Sequence, residues 1–130
     1  TGKDILRRAV RVYAFVMALI FLGAGLRPLA ERFMVKMSTA ALFWANSISA
    51  ILDNATLAAA EITPAMTDRQ ISFVLMGLLI SGGMLIPGNI PNIVSSAKLG
   101  IKSREWAVAA LPFGVVLMLV YFVLMSLLVT

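Results

Sequence analysis

The sequence predicts an all-α integral membrane protein in which spanning helices accompany a re-entrant helical hairpin and a discontinuous transmembrane helix. Three observations carry this reading. Of 130 residues, 61% are hydrophobic and 13% charged, about half the ~25% charged share of a soluble domain; the mean hydropathy is +0.97. The apolar residues come in long uncharged blocks, 12–26, 38–52, 71–97 and 106–130, which is the patterning a bilayer selects. Polar or helix-breaking residues interrupt the apolar sequence at two places, DNAT at 53–56 and PGNIPN at 87–92.

Residues 10–26 form the first expected transmembrane helix, behind Lys3, Arg7, Arg8 and Arg11. In the stretch RPLAERFMVK that follows, Pro28 suits the first turn of a new helix. Leu29, Phe33 and Met34 fall on one face there, with Glu31 and Arg32 on another, which predicts a short interfacial helix over 28–37. Ser38 is the expected N-cap of the next helix. That helix reaches about residue 52, ~21 Å at 1.5 Å per residue, short of the ~30 Å of a hydrocarbon core. The chain then passes through DNAT and continues as LAAAEITPAM. Two short helices joined by a polar tip read as a re-entrant hairpin over 38–66. One spanning helix through 38–62 with a polar spot inside is the alternative, and helix propensity does not separate the two.

TDRQ at 67–70 fits a capping box, with Thr67 as N-cap and Gln70 three positions on. It opens a helix running to about residue 86. PGNIPNI then removes amide donors and disfavours helical geometry, before the apolar run resumes in IVSSAKLG. The stretch 69–99 is therefore expected as one discontinuous transmembrane helix. Backbone that leaves the helix inside a membrane must be buried in protein or line a wet cavity. KSREW marks an interface, with Ser103 as N-cap, Glu105 in the first turn and Trp106 at headgroup level. The last transmembrane helix runs over 103–130, slightly bent at Pro112. No internal repeat or low-complexity linker divides the chain, so 1–130 reads as a single membrane unit. TGKDILRR lacks Met, and the unit is expected to lie within a longer protein.

The formal net charge is +5. The basic residues cluster at the ends of apolar blocks without interleaved aromatics, so the expected partner is the lipid bilayer and not nucleic acid. With the first helix crossing, the hairpin returning and the broken helix crossing back, Lys3, Arg7, Arg8, Arg11, Lys98, Lys102 and Arg104 share one side. Arg27, Arg32, Lys36 and Arg69 share the other. The positive-inside rule then predicts a cytoplasmic N-terminal end and an outer C-terminus, in the cell (plasma) membrane. The absence of Cys and His excludes thiolate metal sites and Ser-His or Cys-His catalysis. Proton coupling near neutral pH must use a carboxylate or a water. No nucleophile–base pair or metal cluster is legible, so neither an enzyme nor a cofactor is expected.

The two interruptions place helix ends at comparable depth. A helix C-terminus offers unsatisfied carbonyls and an N-terminus unsatisfied amides, the construction of midplane ion sites in secondary transporters. Asp53 supplies a formal negative charge, Asn54, Thr56, Asn89 and Asn92 supply neutral oxygens, and Gly88 admits a ligand to the backbone. Hard oxygen donors suit Na⁺, with Asp53, Asn54 and Asn89 as its candidate ligands. Plainer readings stand beside these. Asp53 caps the second hairpin arm, GNIPN is a kink without a ligand, and Glu61, near the outer end of its arm, is structural. Asp53 and Glu61 are also the two candidates for proton coupling. The eight Met residues read as packing, and SGG at 81–83 as a site of close helix approach.

SAILDNATLAAAEITPAM resembles the hairpin-tip motif of the ion transporter superfamily, which holds arsenite permeases, sodium–proton antiporters of the NhaD type and divalent-anion–sodium symporters. GGMLIPGNIPNIVSSAKLG resembles the broken-helix motif that follows it there. The nearest likeness is to an uncharacterised cation-transporter family within that group, and it extends in order from FVMALIFLGAG through the last helix. The resemblance implies two inverted repeats, each giving a re-entrant hairpin and an unwound helix to a shared site. This chain then corresponds to one repeat, the C-terminal half, partnered by the other repeat and assembled as a homodimer. By position, Asp53, Asn54 and Thr56 match the tip, and Gly88, Asn89 and Asn92 the unwound segment. Carboxylate symporters carry Ser-Asn-Thr at the tip. The Asp-Asn-Ala-Thr found here adds a charge that repels an anion and favours a cation. The leading expectation is thus Na⁺/H⁺ or other cation transport by alternating access. An anion carrier of the same fold (arsenite or an organic acid) and a non-transporting membrane assembly module are the competing ones.

Overall fold

Capping residues decide where most of the helices start. The computed structural model describes residues 1–129. Among them the chain is all-helical, with no strand. Helix α1 runs over Gly2–Phe33, and a 3-10 turn, Met34–Lys36, closes it. The chain turns extended at Met37, and Ser38 starts α2 (Thr39–Ala45) by accepting the Ala41 amide at 3.1 Å. A 3-10 segment, Asn46–Ala50, continues α2, and Asp53 caps α3 (Asn54–Glu61). Thr67 and Gln70 form the expected capping box of α4 (Asp68–Gly82). A 3-10 turn, Ile86–Gly88, and α5 (Ile90–Leu99) follow, then α6 (Ser103–Leu128).

Several expected boundaries differ. No separate interfacial helix occupies 28–37, because α1 runs through Pro28 to Phe33. A proline inside a helix leaves one carbonyl a turn back without its amide. Around it Arg27 donates to Glu31 one turn on at 2.8 Å, and Ala30 is buried. Helix α4 ends at Gly82, four residues before the expected 86. The cap of α6 is Lys102 and not Ser103, since the Glu105 carboxylate accepts the Lys102 amide at 2.9 Å. The last residue of the expected 103–130 helix lies outside the described residues.

Helix α4 is the centre. Helix α2 with its 3-10 continuation and helix α6 both pack on it, while α3 touches α4 and packs mainly on α1. Phe43, Phe73, Met84, Met118 and Met125 fill the core between α2, α4 and α6. Phe122 meets Phe43 at 5.4 Å and Phe73 at 6.4 Å, edge-on to the latter. A second core joins Leu42, Met66, Val74 and Leu78. Four of the Met residues are thus buried core, in line with their reading as packing. Helix α5 buries only Ser96. It ends at Gly100, whose φ of 67° is the left-handed conformation that glycine adopts without strain.

Two helices are long and apolar enough to cross a membrane. They are α1 with its closing turn and α6, with window hydropathies of 2.0 and 2.5. None of the most apolar window of α1 is buried within the chain, and 17% of that of α6 is. Between these two, the chain reverses. Gln70, at the start of α4, donates its side-chain amide to Val35 O at 2.8 Å and Met37 O at 3.1 Å. Residues 35–37 and 70 are therefore neighbours, and the 30-odd residues between them go out and come back. Neither α2 nor α3, at 7 and 8 residues, reaches more than ~12 Å by itself.

Candidate functional site

The far end of this excursion meets the far end of α4. Asn54 opens α3, and its side-chain nitrogen lies against Gly82, where a Cβ would come within 3.0 Å of it. The same Cβ would come within 3.1 Å of Gly88 O. A Cβ on Gly88 would in turn collide with Gly82 O and with Ser49 O. The segments 49–54, 82 and 88 are thus packed closely, with backbone oxygens against Gly88 and the Asn54 side chain against Gly82. SGG does bring the chain to close approach, as its composition suggested.

Asp53 divides its carboxylate. Oδ2 accepts the Thr56 amide and the Thr56 hydroxyl, both at 2.9 Å, so the plain capping reading holds for that oxygen. Oδ1 is buried and has no hydrogen-bond partner. A carboxylate oxygen in that position is exceptional, because buried acceptors are nearly always satisfied. Thr56 is committed to Asp53 and serves to fix its orientation.

Asn89 and Asn92 do something other than offer oxygens. Asn89 caps α5, its Oδ1 accepting the Asn92 amide at 2.8 Å. Its nitrogen donates to Gly82 O at 3.1 Å. Asn92 donates to Gly82 O at 3.0 Å and to Leu85 O at 3.1 Å. Both side-chain amides thus supply donors to carbonyls at the interrupted end of α4, where the regular helical ladder stops. The interruption is tied together by its own asparagines, and Trp106 adds a bond from its indole to Gly83 O at 3.2 Å. The Asn89 oxygen, expected as a neutral ligand, is engaged as the cap of α5.

The structure therefore brings Asn54, Gly88, Asn89 and Asn92 around the Gly82 backbone, with Asp53 and Thr56 beside Asn54. Glu61 stands apart, at the other end of α3, where it lines a cavity of about 190 Å³ against α1. Sequence reasoning missed the Ser49 and Gly82 carbonyls and also Asn46, which is fully buried. The signal for these lay in ANSIS and SGG, polar or small residues inside apolar blocks. Among the described residues no three His, Cys, Asp or Glu side chains come together as a metal site. A cation held here would meet one carboxylate and otherwise neutral oxygens.

No curated protein and no solved structure matches the chain. One family model does, over residues 1–128 of the 130. The chain belongs to that family, described as protein of unknown function DUF1646.

Proposed function

We propose that the chain is half of a secondary active cation transporter, with Na⁺/H⁺ exchange by alternating access as its activity. The observation that carries this reading is the free Asp53 Oδ1: a buried, unpartnered carboxylate oxygen at a chain reversal packed on interrupted backbone. Ionisable groups at membrane depth are costly and are kept there for function. In this reading 38–66 is a re-entrant hairpin. Its support is that α2 with its 3-10 continuation reaches ~20 Å, too little for ~30 Å of hydrocarbon. The stretch 69–99 is then the unwound transmembrane helix. Asp53, Asn54 and the carbonyls near Gly82 and Gly88 contribute ligands, and Asn89 and Asn92 hold the interruption open.

The likeness of both motifs to the ion transporter superfamily supports the same conclusion. So does the free surface of α1 and α5, which suits an inverted second repeat and a homodimer in the plasma membrane with the N-terminal end cytoplasmic. The test is flux. The full-length protein in proteoliposomes should couple an imposed Na⁺ gradient to proton movement. Transport of arsenite or a dicarboxylate with no response to Na⁺ would overturn the cation reading in favour of an anion carrier.

A further inference from the structure

Helices α4 and α6 leave a groove along their contact. One part of it is a cavity of about 490 Å³ that starts at Ser72 on α4 and at Leu128 on α6. The other is a cavity of about 460 Å³ that reaches Gly83 and Gly114. Met76, Leu79 and Tyr121 line both, so the two are continuous. From Ser72 to Gly83 the groove runs ~16 Å along α4, about half of a ~30 Å hydrocarbon core. Its far end lies near the middle of α6 (Ser103–Leu128), where the Met84 side chain covers Gly114. With α6 crossing a bilayer, the groove therefore covers the depth of one leaflet.

The Ser72 end carries a cation. Arg69 is exposed and stands three residues before Ser72, on the same face of α4. Its guanidinium lies 5.7 Å from the centre of the Phe73 ring, a contact that holds it over the helix. The two ion pairs among the described residues are Thr1–Asp4 and Arg27–Glu31, so Arg69 has no carboxylate partner there. Lys36 lies in the same layer, between the Val35 and Met37 carbonyls that Gln70 binds. Asp68 stands beside Arg69, and together the three leave this layer net positive.

Two kinds of occupant suit an apolar groove in a membrane, a second helix and a lipid chain. Helices approach each other through small residues. The half of the groove next to Arg69 is lined instead by Leu, Met, Tyr and Val side chains, with Ser72 the one small residue. Leu79 and Leu128 stand out from its rim, 62% and 75% exposed. Such walls give a backbone no flat seat and give a flexible chain a channel. A helix would also have to bring an acid to Arg69, whereas a phospholipid brings its phosphate.

We propose that this groove holds one anionic glycerophospholipid, with its phosphate on Arg69 and an acyl chain lying between α4 and α6 as far as Gly83 and Gly114. The site rests on α6 crossing a bilayer and not on ion transport.

Photolabelling of the reconstituted full-length protein tests this. The probe is phosphatidylglycerol with a diazirine near the end of one acyl chain, and adducts are mapped by peptide mass spectrometry. In wild type they should concentrate on 76–83 and 110–121. Unlabelled phosphatidylglycerol should compete about fivefold better than phosphatidylcholine, as one basic residue at a membrane surface implies. Arg69→Gln should remove that preference, and Leu79→Trp should block labelling by filling the groove. Both positions are exposed, so neither change repacks the core. Arg104→Gln, in the first turn of α6, should alter neither result. Adducts spread evenly over α1 and α6, a preference that survives Arg69→Gln, or an equal loss in Arg104→Gln overturns the site. Displacement of the probe by inorganic phosphate also overturns it, since Arg69 would then hold a free anion. Groove labelling in a protein without Na⁺-driven flux keeps the lipid site and removes the transport reading. Flux without groove labelling does the reverse.

Discussion

Asp53 holds its helix with one oxygen and leaves the other free, so the two roles separate by substitution. Asn is as good an N-cap as Asp, and Asp53→Asn should leave thermal stability nearly unchanged. If Oδ1 is the charged ligand, loss of that charge in a partly dehydrated site costs on the order of 2–4 kcal/mol. At ~1.4 kcal/mol per tenfold, apparent Na⁺ affinity should fall roughly 30- to 1000-fold. Competition by protons at this site should weaken in parallel. Na⁺-dependent flux against pH, for wild type and variant, measures both; wild-type affinity in a folded Asp53→Asn protein removes Asp53 from the site. Gly82→Ala probes the packing beneath. Its Cβ would press on Asn54 and on Gly88 O at 3.0–3.1 Å. Overpacking of this kind costs about 1–3 kcal/mol, read as a lower melting temperature. At this scale the sequence marked the polar residues inside apolar runs but not which end of each amide points where. Asn89 and Asn92 were legible as polar groups in an apolar run. That their nitrogens satisfy carbonyls at the interruption depends on where Gly82 O and Leu85 O point, which no spacing contains.

Elements were legible where a cap or a breaker speaks locally. Ser38, Thr67 and the two prolines near 90 do so, and α2, α4 and the interruption follow. The boundary at Pro28 failed for the opposite reason. Proline is tolerated where the helix beyond it is packed, and the burial of Ala30 is invisible without the fold. Sequence left two alternatives open for 38–66, and the Gln70 bonds to Val35 O and Met37 O set residues 35–37 beside the start of α4. Each carbonyl loses its side-chain partner in Gln70→Ala, which also weakens the capping box. A cost of about 1–3 kcal/mol is expected, and thermal unfolding of the full-length protein should show it. The re-entrant arrangement makes a sharper demand. Cys at Ser38 and Cys at Thr67 should react with a membrane-impermeant thiol reagent from the same side, and Cys at Ala55 should react from that side in some conformations. Labelling of positions 38 and 67 from opposite faces would make this stretch a crossing.

As a whole molecule the chain leaves much apolar surface uncovered, along all of α1 and on Ile90, Ile93 and Val94 of α5. In water a surface of this extent would drive association; a bilayer covers such a surface with lipid, and the proposed reading adds a second repeat. On the proposed reading the ion site is incomplete without that repeat. Reconstituted by itself, the 130-residue chain should show no saturable Na⁺ uptake in vesicles. Robust uptake would mean that two copies complete the site in antiparallel orientation, or that one copy suffices and the architecture is different.

The Gln70 contacts tie residues 35–37 to the start of α4, while residues 49–54 meet the end of α4 largely through Gly82 and Gly88. On the proposed reading this is a stretch fastened at one end and resting on glycine at the other. The two ends lie about 18 Å apart along α4, so a tilt of about 10° carries Asp53 and Asn54 ~3 Å, the width of one hydrogen bond.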